Sequence, residues 1–290
     1  MIHTLDNGVI RITVADRGAE LKSLTELGDG TEYIFDGNPT WWKYSSPILF
    51  PIVGKVRDGK YRAEGKEFSL PQHGFARTSD FWLVEAETDA ITFALESNAA
   101  TLAVYPYRFR LELSYKLIGR EVKFVWRVIN TDEREIYFSI GAHPAICCPI
   151  AYRENFTDCY LKFNRPEKSS RLVLTAEGLT HERIPTLDGT ELALNYDLFK
   201  GDALIFDDLK SDEISVCSRK SSKRLTVRAK GFPYWGIWTP DRGGAPFVCI
   251  EPWHGHADYV DFDGELKDKE GIRALGVGET FETQISFIIG

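Results

Sequence analysis

Apolar and polar residues alternate along most of this chain with the period of a β-strand. Val9–Val14, Ala90–Leu95 and Phe109–Tyr115 set an apolar side chain at every second position, as strands with one buried and one wet face do. Glu121–Ile129 follows the last of these after Leu117-Ile-Gly-Arg120, which predicts a hairpin. Short apolar runs bounded by turn residues predict further strands at Cys159–Phe163, Leu172–Thr175, Ala203–Phe206, Ile214–Cys217, Leu225–Ala229, Tyr234–Trp238, Phe247–Ile250 and Gln284–Ile289. No window sustains the 3.6 period of a helix, and Asn38–Tyr44 has room for a turn or two at most.

Many strands with short connections imply a sandwich or a barrel. No linker, composition shift or internal repeat divides the chain, and the last apolar run, Phe281–Ile289, is as apolar as the first. The expectation is an all-β protein in which residues 1–290 form one large antiparallel β-sandwich.

Composition narrows the partners. Eighteen Phe, 12 Tyr and 7 Trp suit β-sheets, and they also suit sugar-binding clefts, where ring faces stack on C–H surfaces. A net charge of −8 without a basic block argues against nucleic acid. The first residues resemble no signal peptide, and no apolar stretch approaches the ~20 residues that span a bilayer. Five cysteines, an odd number without CxxC spacing, point to reduced thiols in a cytoplasmic protein and away from a structural zinc site.

Two segments carry candidate chemistry, Ile140-Gly-Ala-His-Pro-Ala145 and Val248-Cys-Ile-Glu-Pro-Trp253. Each places a proton carrier, His143 or Glu251, at the end of a predicted buried strand. A proline follows each at once, which predicts that central-strand pairing stops there. A histidine and a carboxylate at the rim of a rigid sheet are suited to general acid–base catalysis. The plain alternative for Glu251 is a glutamate turning outward to water at the strand end. His73 lies in Leu70-Pro-Gln-His-Gly-Phe-Ala-Arg77, a loop punctuated by Pro71 and Gly74. His3 and His181 read as hydrogen-bonded structural residues. His254-Gly-His256 has the look of a metal pair but no third ligand at a supporting spacing. Asp202, Asp207, Asp208, Asp258, Asp261 and Asp263 leave a glycosidase carboxylate pair open. The chain has no GxSxG elbow, P-loop or GxGxxG unit, which disfavours serine hydrolases, nucleotide hydrolases and dinucleotide enzymes.

Taken in order, Pro51-Ile-Val-Gly-Lys-Val-Arg-Asp-Gly-Lys-Tyr61, Gln72-His-Gly-Phe75, Gly141-Ala-His-Pro144, Gly201-Asp-Ala-Leu-Ile-Phe206 and Cys249-Ile-Glu-Pro-Trp253 resemble the aldose 1-epimerase (galactose mutarotase) family. The branch with a Glu-Pro-Trp motif is the nearest match. The resemblance implies the galactose mutarotase-like supersandwich and interconversion of sugar anomers without a cofactor. Carried over, Glu251 removes the C1 hydroxyl proton and His143 protonates the ring oxygen. His73 and Asp202 hold hydroxyls, with Asp207 as the alternative aspartate. Where the family has Asn-Arg-Ile this chain has Gly54-Lys-Val56, so Lys55, or Arg57 beyond it, takes the arginine's place among the substrate contacts, and Trp253 stands beside the glutamate. His73-Gly-Phe-Ala-Arg77 is also similar to the hexose-6-phosphate branch, in which that arginine helps hold phosphate; the alternative is an ion pair of Arg77 with Asp80 or Glu85. The expected partner is a small sugar, free or phosphorylated, and the expected assembly a monomer or homodimer. A sugar-binding protein without activity and a glycoside hydrolase remain the competing functions.

Overall fold

The strands predicted from alternation pair into antiparallel sheets in a computed structural model that describes residues 1–290. Three strands, Ile2–Asp6, Ile10–Ala15 and Glu20–Glu26, form a small sheet at the start of the chain. A continuous path of hydrogen-bonded strands, part of a 15-stranded sheet, then runs from Ile48–Leu49 through the centre of the molecule to Trp82–Ala86 at the far edge. The path changes layer along Cys159–Leu174. The first part of that strand pairs with Glu213–Ser218, and its second part touches Leu204–Phe206 at Leu172. Register shifts between Lys162 and Leu174 allow one strand to serve both layers, as bulged strands do at the corners of sandwiches.

The layers close on a core of 63 buried side chains. Alternation explains which residues enter it: Phe109, Leu111, Leu113, Tyr115 and Leu117 are buried while the residues between them are half-buried or exposed. Their partners on Glu121–Asn130 (Val122, Phe124, Trp126 and Val128) are buried opposite them. The predicted hairpin turns at Gly119–Arg120. No helix of the chain is long and apolar enough to cross a membrane.

Three expectations change. Asn98 caps a helix at Ala99–Val104, with Thr101 completing a capping box; six residues are too few to show a helical period. Leu179–Ala193 is a 15-residue strand whose side chains are mostly exposed, so it lacks an apolar row. Finally, Phe247–His254 continues through Pro252 and pairs on one side with Tyr234–Trp238 to its end. The ladder on its other side ends at the Gly141–Trp253 pair and resumes at Ala145–Cys249, so it skips Pro252. No ladder bond is required of Pro252 on that side, so Glu251 sits within the strand rather than at its end.

Candidate active site

Phe247–His254 is buried on both faces. Strand alternation puts Cys249, Glu251 and Trp253 on one of them. Gly141 pairs with Trp253 and Ala145 with Cys249, so the register brings His143 level with Glu251 in the gap between the two short strands. The His143 N–H donates to Pro47 O at 3.1 Å, and the Ala145 N–H to Ser45 O at 2.8 Å. The gap is thereby tied to the segment that follows Trp42. The His143 ring is packed against Trp42, with centroids 4.6 Å apart, and edge-on to Trp238 at 5.7 Å.

His143 Nε2 and Glu251 Oε2 are 3.2 Å apart. The contact has the separation of an ion pair but not the direction of a hydrogen bond, and Glu251 Oε2 and His143 Nδ1 have no other partner. Glu251 is 1% exposed. Burial pushes its carboxyl well above the usual range, and the nearby Asp202 charge pushes it further. Burial holds the His143 imidazole below its usual range, helped by the Arg77 cation. Proximity alone favours carboxylate and imidazolium, whereas desolvation favours the uncharged groups. Burial is the largest influence on each group and outweighs the Trp253 hydrogen bond to Glu251, so desolvation dominates and both are held toward their uncharged forms.

Both side chains open into a cavity of about 850 Å3 that is also lined by His73, Arg77, Asp202, Trp253, Trp41, Trp42, Tyr44 and Trp238. Its volume lies within the ~300–1,000 Å3 usual for small-molecule sites. Trp253 forms part of the floor. Its indole lies across both neighbouring strands, and a Cβ at Gly141 or Gly236 would come within 2.5 or 2.4 Å of it. Only glycine leaves room for the ring at those two positions. Its Nε1–H donates to Ala142 O at 3.2 Å.

His73 is fixed by the loop before it. The His73 N–H donates to Gly54 O at 2.8 Å, and the Gly54 N–H donates to His73 Nδ1 at 3.1 Å. With Nδ1 accepting, the neutral ring carries its proton on Nε2. Burial lowers the pKa of His73 well below its usual value, and the neighbouring His143 ring and the Arg77 and Lys55 cations add to the effect, so the neutral form persists. His73 therefore supplies an N–H donor.

Of the eight site residues expected from the sequence, His143, Glu251, His73, Asp202, Arg77 and Trp253 meet at this cavity. Lys55 and Arg57 do not. Gly54 takes a left-handed φ of +73° and packs against Ala257; beyond it the chain leaves the cavity, and Lys55 is exposed. Arg57 lines a separate cleft, donating from its backbone to Asp258 Oδ2 and from Nη1 to Phe262 O. Between the two aspartates the distinction is clear: Asp207 is engaged by Arg183 at 2.8 and 2.6 Å, whereas Asp202 lines the cavity. Arg77 forms no ion pair; Asp80 pairs with Arg17 instead. The Arg77 guanidinium donates to Gln72 O at 2.7 Å and lies over the Tyr44 ring at 4.9 Å.

His254 and His256 do not share an ion site: His254 Nδ1 faces Arg273 at 3.0 Å, while His256 Nδ1 faces Ala257 O. Trp238 and Tyr44 were not singled out from the sequence. Trp238 pairs with Cys249 across the sheet, a relation that requires the strand pairing to be known.

A model of the aldose 1-epimerase family matches residues 1–272. The chromosomal LacX protein of Lactococcus lactis is 34% identical over 275 residues, covering 91% of each chain. Among solved structures, a galactose mutarotase related enzyme from Lactobacillus acidophilus is similar at 33% identity with a TM-score of 0.95, covering 100% of this chain and 97% of its own. A galactose mutarotase-like protein from Lactobacillus casei is similar at 29% identity with a TM-score of 0.92, covering both chains in full.

Proposed function

Because the chain belongs to the aldose 1-epimerase family, we propose that it interconverts the α and β anomers of an aldohexose of the galactose or glucose type. The observation that carries this reading is the His143–Glu251 pair: two desolvated proton carriers 3.2 Å apart on a cavity wall, with Glu251 Oε2 and His143 Nδ1 free of hydrogen-bond partners. The C1 hydroxyl oxygen and the ring oxygen are bonded to one carbon, so two groups this close can reach both.

In their uncharged forms Glu251 carries a carboxyl proton and the His143 ring has one nitrogen free to receive it. Shifting it from Glu251 to His143 produces the base and the acid together, without exchange with solvent. Sugar hydroxyls in the cavity donate to Glu251 Oε2, which has no hydrogen-bond partner within the protein. Glu251 then takes the C1 hydroxyl proton while His143 protonates the ring oxygen. The ring opens, the aldehyde turns about C1–C2, and closure from its other face gives the second anomer. Each group contributes ~10²–10⁴-fold. The His73 Nε2–H and the Asp202 carboxylate hold other hydroxyls, and the tryptophan walls stack on the C–H faces of the ring. Polarimetry of freshly dissolved α-D-galactose, α-D-glucose and glucose 6-phosphate tests the reading. Faster approach to the same final rotation is expected; unchanged rates with saturable sugar binding would leave a binding protein on this fold.

A second reading concerns the substrate's charge. Arg77 faces the cavity without an anionic partner, and the phosphate of a phosphorylated hexose would supply one.

A further inference from the structure

Behind the acid–base pair lies a third group with metal-binding chemistry. Cys249 shares the strand face of Glu251 two residues earlier, and the donor atoms of His143, Cys249 and Glu251 all lie within 4.8 Å of one another. Cys249 is fully buried in a small apolar cluster with Phe35, Ala145 and Phe247. Packing alone explains an apolar residue there. A buried thiol also packs as a small apolar group; what packing leaves open is the neighbouring Glu251 Oε2, which has no hydrogen-bond partner.

Ligands bound tetrahedrally at ~2.0–2.3 Å place their donor atoms about 3.3–3.6 Å apart. His143 Nε2 and Glu251 Oε2, at 3.2 Å, already stand at one edge of such a tetrahedron. One imidazole, one thiolate and one carboxylate form a donor set that suits Zn2+ and its softer relatives. The two strand residues and the ring wedged between Trp42 and Trp238 hold these donors on rigid elements. His143 and Glu251 line the cavity, from which a fourth ligand would come.

We propose that His143, Cys249 and Glu251 form an inhibitory site for Zn2+, in which the ion takes both proton carriers out of the reaction. On binding, the thiol and the carboxyl release their protons to solvent, and the imidazole coordinates as the neutral ring. Inhibition rests on the proposed mutarotation; occupancy of the site does not, and the two are read separately.

Cobalt(II) is the probe for occupancy. Titrating the protein with Co2+ should produce the near-ultraviolet thiolate-to-cobalt charge-transfer band together with intense visible bands of four-coordinate cobalt, and added Zn2+ should remove both. Cys249→Ser and Cys249→Ala should lose the charge-transfer band. In the anomerisation assay Zn2+ should inhibit the wild type, with sugar protecting. The Cys249→Ser variant should keep an uninhibited rate within about twofold and need at least about tenfold more Zn2+. Absence of the band in the wild type would overturn the proposal whether or not the variants fold, and so would its persistence in either variant. A zinc-sensitive band without any anomerisation activity would leave the site standing and remove the enzymatic reading instead.

Discussion

Replacing Gly236 by Ala tests how the cavity floor is held. The added Cβ would lie 2.4 Å from Cη2 and Cζ2 of Trp253, where carbon atoms normally rest ~3.5–4.0 Å apart. The indole must therefore move by about 1 Å or more. It cannot slide along the sheet, because its other edge already occupies the space above Gly141. The free direction is upward into the cavity. Overpacking of this kind costs ~1–3 kcal/mol, and loss of the Trp253 Nε1–H bond to Ala142 O adds ~0.5–1.5 kcal/mol. A destabilisation of about 1.5–4.5 kcal/mol is expected in urea titration, together with a rise in KM of at least about tenfold as the ring enters the sugar's space. Gly28→Ala is the control, since nothing lies within 4 Å of its Cβ. Wild-type stability and KM in Gly236→Ala would show that Trp253 is not locked between the two glycines.

His73 should titrate far below the free imidazole and remain the Nε2–H tautomer; nitrogen-15 spectra showing a protonated Nδ1 would contradict the Gly54 hydrogen bond. His73→Asn should raise KM by about an order of magnitude with a smaller effect on kcat. If phosphate is bound, Arg77→Ala should raise KM for hexose 6-phosphate much more than for the free sugar, and equal effects would remove that reading. Stability should fall as pH drops below about 6.5, because His73, His143 and His254 are held neutral in the folded state but charge on unfolding. Each contributes up to about 1.4 kcal/mol per pH unit. Glu251, protonated when folded and ionised when unfolded, offsets one of the three down to the ordinary carboxylate range. A pH-independent urea midpoint between pH 6.5 and 4.5 would contradict these protonation states.

Strands with one dry face were readable because alternation records burial directly, as in Phe109–Ile118. Leu179–Ala193 was not, because its side chains are mostly wet and its pairing with Cys159–Leu174 is carried by the backbone. In the site, the residues at strand register or in tight Gly/Pro-marked segments were legible: His143, Glu251, Trp253 and His73. Lys55 and Arg57 were misplaced because sequence offset counts residues and does not follow the chain's direction, which the left-handed φ of Gly54 reverses away from the cavity. Pro252 misled in a different way. Its ring forbids one ladder bond, but the ladder to the adjoining strand skips it, passing from Gly141–Trp253 to Ala145–Cys249. Cys249 looked like one more apolar strand residue until the register set it beside His143.

The central claim is that His143 and Glu251 move the two protons of anomerisation. The most direct measurement is the polarimetric mutarotation rate of α-D-galactose with wild-type protein, His143→Asn and Glu251→Gln at matched concentration, each variant first confirmed as folded by circular dichroism. Acceleration by the wild type, reduced at least ~10²-fold in each variant, is the predicted result. Wild-type turnover in either folded variant would contradict it.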